Sequence, residues 1–257
     1  MSLPKLRLER CLPLCPAGSA SPKLWRLGEE GTRHLTKSLR LYEGAMVEGL
    51  LNEPNEDGAG AAGRKFLLRL ERDEEGYLLR EVGSEAVPPD EMSLTLVIGL
   101  LKADQFEAVL RASAEIGVAE IRPLICERSV PRIESKELER KMIRWRRIVD
   151  EGTQVSGAIV PPTLMTPVAF SRCDWASLPL RRYVAMLATD ALPLREIVTS
   201  GRGGIVFAVG PEGDWSDKEA ESLRGSGFTP VGMGSRILRA STAALVGCGW
   251  FRLSYGS

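Results

Sequence analysis

Residues 205–243 read IVFAVGPEGDWSDKEAESLRGSGFTPVGMGSRILRASTA, and this stretch decides the fold. Its apolar run Ile205–Val209 has no polar alternation, the pattern of a strand buried on both faces of a parallel sheet. The turn Gly210, Pro211, Glu212, Gly213, Asp214 follows at once. Ser216 with Glu219 three residues on then forms a capping box, which predicts a helix over Ser216–Leu223. A second apolar run, Phe228–Met233, ends in another glycine turn at Gly232 and Gly234. A strand, helix and strand in this order imply an α/β domain with its ligand at the carboxyl ends of the strands.

Three more runs of this kind precede it: Leu94–Leu101, Ala119–Ile125 and Tyr183–Ala188. Asp104 and Glu107 suggest a second capping box, with Phe106, Val109 and Leu110 as the apolar face of its helix and Gly117 as its stop. In the helix expected over Lys136–Asp150, Leu138, Met142, Trp145 and Val149 share one sector at about 100° per residue. Lys136, Arg140, Arg144 and Arg147 share the other. The span Arg128–Arg147 holds eight basic and three acidic residues, which fits either a solvated helix face or a track for phosphates.

The first 85 residues differ. Short alternating stretches, Lys65–Leu70 and Tyr77–Val82, lie between the turn-rich segments Asn52–Gly63 and Asp73–Gly76, as in a small β-rich module. Ser84–Asp90, with Pro88 and Pro89, reads as the linker, so the domains are expected at 1–85 and 92–257. At 257 residues, two modest domains suit the length.

Composition narrows the chemistry. Apolar residues make up 44% and charged residues 26%, with 34 basic residues balancing 34 acidic ones, the mixture of an ordinary soluble protein. Any polyanion must therefore be held by a local patch. The single histidine, His34, excludes His-rich metal sites, and no metal is expected. Cysteines at 11, 15, 126, 173 and 248 are too scattered for a disulfide framework and read as reduced thiols of a cytoplasmic protein. No leader pattern and no apolar run of about 18 residues occurs, so no membrane partner is expected.

The two glycine turns would gather backbone groups with little side-chain obstruction around one crevice, or they serve only as tight turns. Neither is a dinucleotide fingerprint, and no GK[ST] phosphate loop is present. The residues themselves indicate a small ligand and go no further.

GPEGDWSDKEAESL followed by VGMGSRILRASTA resembles the signature of the ribosomal RNA small subunit methyltransferase E family, a member of the SPOUT class. The usual form of that signature is GPEGG-S-x-x-E, then LG-x-RILR-x-ETA. Upstream, KADQFEAVLRASAEIGVAEIRPLICERSV, RWRRIV, TQVSGAIVPP and RHLTKSLRL are similar to further family blocks in the same order. The resemblance implies a PUA-like β-barrel for RNA binding, then an α/β domain tied in a trefoil knot. It also implies a homodimer that binds S-adenosyl-L-methionine in the knot and methylates N3 of a uridine in small-subunit ribosomal RNA.

Carried over by position, the cofactor residues would be Leu187, Ala188, Gly210, Pro211, Gly213, Met233, Gly234, Ile237 and Leu238. Methyl transfer to N3 requires loss of the imide proton, and the negative charge then spreads onto the flanking carbonyl oxygens, for which Arg236 or Arg239 is the expected stabiliser. Either arginine could instead pair with a carboxylate across the dimer. Glu212 is the nearest base, or else a structural partner for backbone N–H groups. Arg7, Arg33, Arg40, Lys102, Arg128 and Arg144 are expected on RNA; His34, close to that surface in sequence, reads as a packing histidine or a base or phosphate contact.

Six positions depart from the family pattern. Ala240 and Ser241 replace Thr-Glu, Thr153 and Gly157 replace a Glu and an Arg, Asp214 replaces a Gly, and Arg111 replaces a Lys. These changes admit an alternative of another class, an RNA-binding or ribosome-assembly protein that kept the fold and lost turnover. An α/β enzyme acting on a phosphorylated metabolite is a third reading, opposed by the missing phosphate loop.

Overall fold

Period-two alternation governs the start of the chain. The computed structural model describes residues 3–8, 11–13, 23–54, 61–88, 90–130, 135–197 and 203–254. It divides into two compact units: Met1–Pro89 with Gly157–Val160, and Asp90–Ser156 with Pro161–Ser257.

The first unit runs β1 (Lys5–Arg7), β2 (Leu12–Pro13), β3 (Leu24–Arg26), α1 (Glu29–Arg33), β4 (Met46–Pro54), β5 (Ala61–Asp73) and β6 (Gly76–Val87). One sheet joins the strands in the order β1-β4-β5-β6-β3-β2, with β1 parallel to β4 and the other pairs antiparallel. Phe66, Leu68 and Leu70 alternate inward, and Phe66 meets Trp25 edge-on at 4.9 Å. The β5–β6 hairpin turns at Asp73–Gly76, where Gly76 takes φ +127°. Arg26 donates two hydrogen bonds of 2.7 Å to Asp73 beside that turn and holds its carboxyl down to about 2. His34 opens a π-helical turn, His34–Ser38.

The expected linker is shorter than its sequence suggested. Ladder pairing carries β6 to Val87, so Ser84–Val87 is strand; Pro89, residues 55–60 of the turn-rich segment and Cys15 lie outside the described residues.

The second unit runs β7 (Met92–Gly99), α2 (Ala103–Ile116), β8 (Glu120–Ile125), α3 (Ser135–Ser156), β9 (Thr163–Leu164), β10 (Val168–Ala169), β11 (Arg181–Ala185), β12 (Leu192–Pro193), β13 (Gly203–Val209), α4 (Asp217–Gly225), β14 (Phe228–Gly232) and α5 (Ala240–Leu253). All strands are parallel, in the order β10-β8-β7-β13-β11-β14-β12, with β9 also on β8. The central strands are buried on both sides. Leu94, Leu96, Ile98, Ile205, Phe207 and Val209 face a core shared with α2, α3 and α5. Val97, Val206 and Ala208 face a second core with Trp215, Leu223 and Phe228. All five expected strands are present; the two-residue strands β9, β10 and β12 carry no readable period.

Gly117 ends α2 in the left-handed conformation at φ +90°. Its start differs from expectation: Lys102 is the N-cap without a side-chain bond, and Asp104 sits in the first turn. The expected capping partner Glu107 instead pairs with Arg144 on α3. Ser216 and Glu219 do form both bonds of the capping box on α4. Gly157, where the family pattern has Arg, stops α3 at φ +72°, a conformation a side chain rarely adopts. Cys126 and Cys248 are core thiols whose burial pushes them up to about 12, which keeps them protonated and unreactive.

Candidate functional site

The site grows from three chain segments that leave the carboxyl ends of neighbouring strands. Residues 185–195 follow β11, residues 209–214 follow β13, and residues 231–243 follow β14. They enclose a cavity of about 690 Å³, within the range of small-molecule sites. Leu187, Ala188, Gly210, Gly213, Met233, Gly234, Ile237 and Leu238 all line it. Pro211 does not; it packs behind the wall, its ring and nitrogen against Gly99. Leu187 is 70% exposed and Ile237 81% exposed, so two large apolar side chains stand open in this lining.

Polar groups are few. Arg236 lines the cavity, whereas Arg239 lies outside the lining and serves as the N-cap of α5, its carbonyl accepting from Ala243 N–H. Glu212 lines the cavity and its Oε1 accepts from the Lys102 backbone N–H at 2.9 Å. The carboxylate thus caps α2 from across the sheet, where negative charge is stabilised at the helix N-terminus. Of the two readings of Glu212, the structural one is realised in this contact.

Sequence reasoning missed Met186, Arg195, Asp214 and Ser235, which also line the cavity. Asp214 had a signal in the sequence: an Asp in a tight turn tolerates positive φ. It adopts φ +62°, with Oδ1 accepting from the Trp215 N–H at 2.8 Å. Arg195 had none, because it follows the two-residue edge strand β12.

The Gly210–Asp214 turn is tied down from behind. Arg128 donates to the carbonyls of Gly213 and Trp215 at 3.3 and 3.1 Å. The buried Glu219 carboxylate accepts from Ser216 N–H with Oε2 and from Glu127 N–H with Oε1, both at 2.9 Å. Glu219→Gln keeps the shape and puts an amide donor against one of these N–H groups. Stranding a buried donor costs about 1–3 kcal/mol; the melting temperature should fall by roughly 2–4 °C per kcal/mol, and calorimetry of the variant checks it.

The residues expected on RNA separate. Arg7 is buried on β1, with 8% exposure, and is not open to a phosphate. Arg33 and Arg40 are exposed on the first unit, and Lys102, Arg128 and Arg144 on the second. Among the described residues no His, Cys, Asp and Glu cluster could hold a metal, and no helix is long and apolar enough to cross a membrane.

A family model for the RNA methyltransferase domain matches residues 88–252. Across 221 residues the chain is 32% identical to the ribosomal RNA small subunit methyltransferase E of Synechocystis sp., covering 83% of this chain and 67% of that protein. The chain belongs to the ribosomal RNA small subunit methyltransferase E family. The enzyme of this name from Neisseria gonorrhoeae, solved bound to S-adenosyl methionine, superposes with a TM-score of 0.75 at 24% identity over 96% of each chain. A methyltransferase of Legionella pneumophila, solved with the same cofactor, gives 0.79 at 23% identity over the whole of both chains. These two likenesses establish a shared fold. The part of the chain matched by the family model includes every residue lining the cavity.

Proposed function

We propose that the chain is an S-adenosylmethionine-dependent methyltransferase acting on N3 of a uridine in small-subunit ribosomal RNA. The cavity carries this reading. Its apolar wall of Leu187, Met233, Ile237 and Leu238 suits a purine ring, and its glycine turns leave backbone groups open to the ring's edge, the usual make-up of a nucleoside site. When bound, the cofactor supplies an electrophilic methyl group whose carrier departs as a neutral thioether. The chain's own residues do the rest. Arg236, a fixed cation in the lining, stabilises the charge that spreads onto the uracil carbonyls as the N3 proton leaves. That proton passes to a carboxylate or to water; Glu212 and Asp214 are the cavity's two carboxylates, and Glu212 keeps Oε2 beyond its bond to Lys102.

Further parts of the reading rest on the family. The first unit is the PUA-like RNA-binding module and the second is knotted around the cofactor. Two copies pair, in the cytoplasm, and the exposed Val246 and Leu253 on α5 are suited to covering by a second copy. Arg33, Arg40, Lys102 and Arg128 guide the RNA backbone.

The test is methyl transfer from labelled S-adenosylmethionine to unmodified small ribosomal subunits, followed by digestion to nucleosides. Label is expected in N3-methyluridine. Label in another nucleoside overturns the uridine assignment, and no label from a protein that binds the cofactor favours an RNA-binding protein without turnover.

A further inference from the structure

A second cavity, of about 430 Å³, lies between α2 and α3. Leu100, Leu101 and Trp145 form its apolar floor, with Trp145 held edge-on against Phe106 at 4.7 Å. Arg140, Lys141 and Arg144 line it as well. These three cations are not equivalent. Arg144 is bound by Glu107 in a bidentate pair of 2.7 and 2.8 Å, yet its side chain is 68% exposed. A guanidinium whose edge is satisfied by a carboxylate and whose plane is fixed keeps its face for stacking. Lys141 reaches Glu137 only at 3.7 Å, and Arg140 forms no ion pair among the described residues. An apolar floor, a rigid flat cation, the unpaired Arg140 and the loosely paired Lys141 match the parts of a nucleotide: a base to bury, a π-face to stack and a phosphate to neutralise.

Position argues for the same occupant. Lys102, whose N–H bonds Glu212 in the lining of the first cavity, lies between Leu101 and Ala103 in the lining of the second. The two cavities are therefore neighbours across one hydrogen bond. We infer that the α2–α3 cavity is a subsite for a second nucleotide of the RNA, close to the methylated one, that holds it unstacked and so keeps the target presented. This rests on the RNA methyltransferase reading above and extends it to how the substrate is gripped.

Two variants and a crosslink test it. Ala103→Trp fills the cavity without altering charge, and Arg140→Ala with Lys141→Ala removes the two cations that Glu107 does not hold. Stacking one base is worth about 1–3 kcal/mol, or about 5- to 150-fold, so Ala103→Trp should weaken binding of small-subunit ribosomal RNA within that range; the double variant should weaken it too and flatten its salt dependence, and both should bind S-adenosylmethionine as before. RNA carrying 4-thiouridine should crosslink to peptides within 100–107 or 136–145. If transfer proceeds while crosslinks map elsewhere, or while both variants hold RNA as tightly as the parent, the subsite is overturned and the methyltransferase reading stands. Absence of both transfer and RNA binding by the parent protein overturns both.

Discussion

Gly99→Ala should sharply destabilise the fold or weaken cofactor binding, although it adds one methyl group. A Cβ at Gly99 would stand 2.5 Å from the Pro211 backbone nitrogen, 2.7 Å from its ring and 3.0 Å from the Gly210 carbonyl carbon. Those atoms belong to the turn that walls the cavity, and Arg128 and Glu219 pin that region from behind. Backbone cannot rotate away as a flexible side chain would. Overpacking of this kind costs about 1–3 kcal/mol and sometimes more. The strain either unfolds the sheet, since β7 and β13 are its central pair, or pushes the turn into the cavity. Thermal unfolding together with titration of S-adenosylmethionine distinguishes the two routes; a melting temperature and an affinity both equal to those of the parent would refute the argument. Gly225→Ala is the control, because nothing lies within 4 Å of a Cβ there and alanine is the better helix residue at the end of α4.

That prediction shows what the sequence could not carry. Gly99 lies inside the apolar run Leu94–Leu101 and has no local reason to be glycine; the reason is Pro211, more than a hundred residues on. Glu212 capping α2 is legible only in space for the same reason. The sequence did carry the continuous apolar runs of β7 and β13, because strands buried on both faces need no alternation. It also carried the Ser216–Glu219 box, because both partners lie within one turn of helix. The Asp104–Glu107 pattern had the same spacing and failed: α3 offers Glu107 a guanidinium, and a bidentate charged pair outcompetes a backbone bond. The return of residues 157–160 to the first unit is a matter of topology, which local patterns do not encode.

The cavity lining was legible through the glycine turns and the family resemblance, which reached Arg236 but also named Arg239, three residues away. Position 236 lies in the open segment 233–238, while 239 is already the helix cap. Buried Arg7 was misplaced because its alternation with Leu6 and Leu8 implies one open face, whereas all three residues are buried.

Arg236→Ala should lower kcat by about 100- to 1000-fold, the usual cost of removing one group that stabilises charge in the transition state. S-adenosylmethionine affinity should change little, since the cofactor's apolar contacts remain. Arg239→Ala should cost far less, because its side chain lies outside the cavity lining. The pH profile gives an independent sign. In the proposed reaction transfer requires loss of the uridine N3 proton, so the rate should rise with pH until that group ionises. A nearby guanidinium favours the ionised form and sets the rise at lower pH; its removal should move the rise to higher pH. No histidine lines the cavity to mimic this shift. Single-turnover rates for both variants across pH decide it: an unchanged kcat and an unmoved profile in Arg236→Ala would take the residue out of the chemistry and leave the charge to be stabilised by backbone N–H groups of the glycine turns.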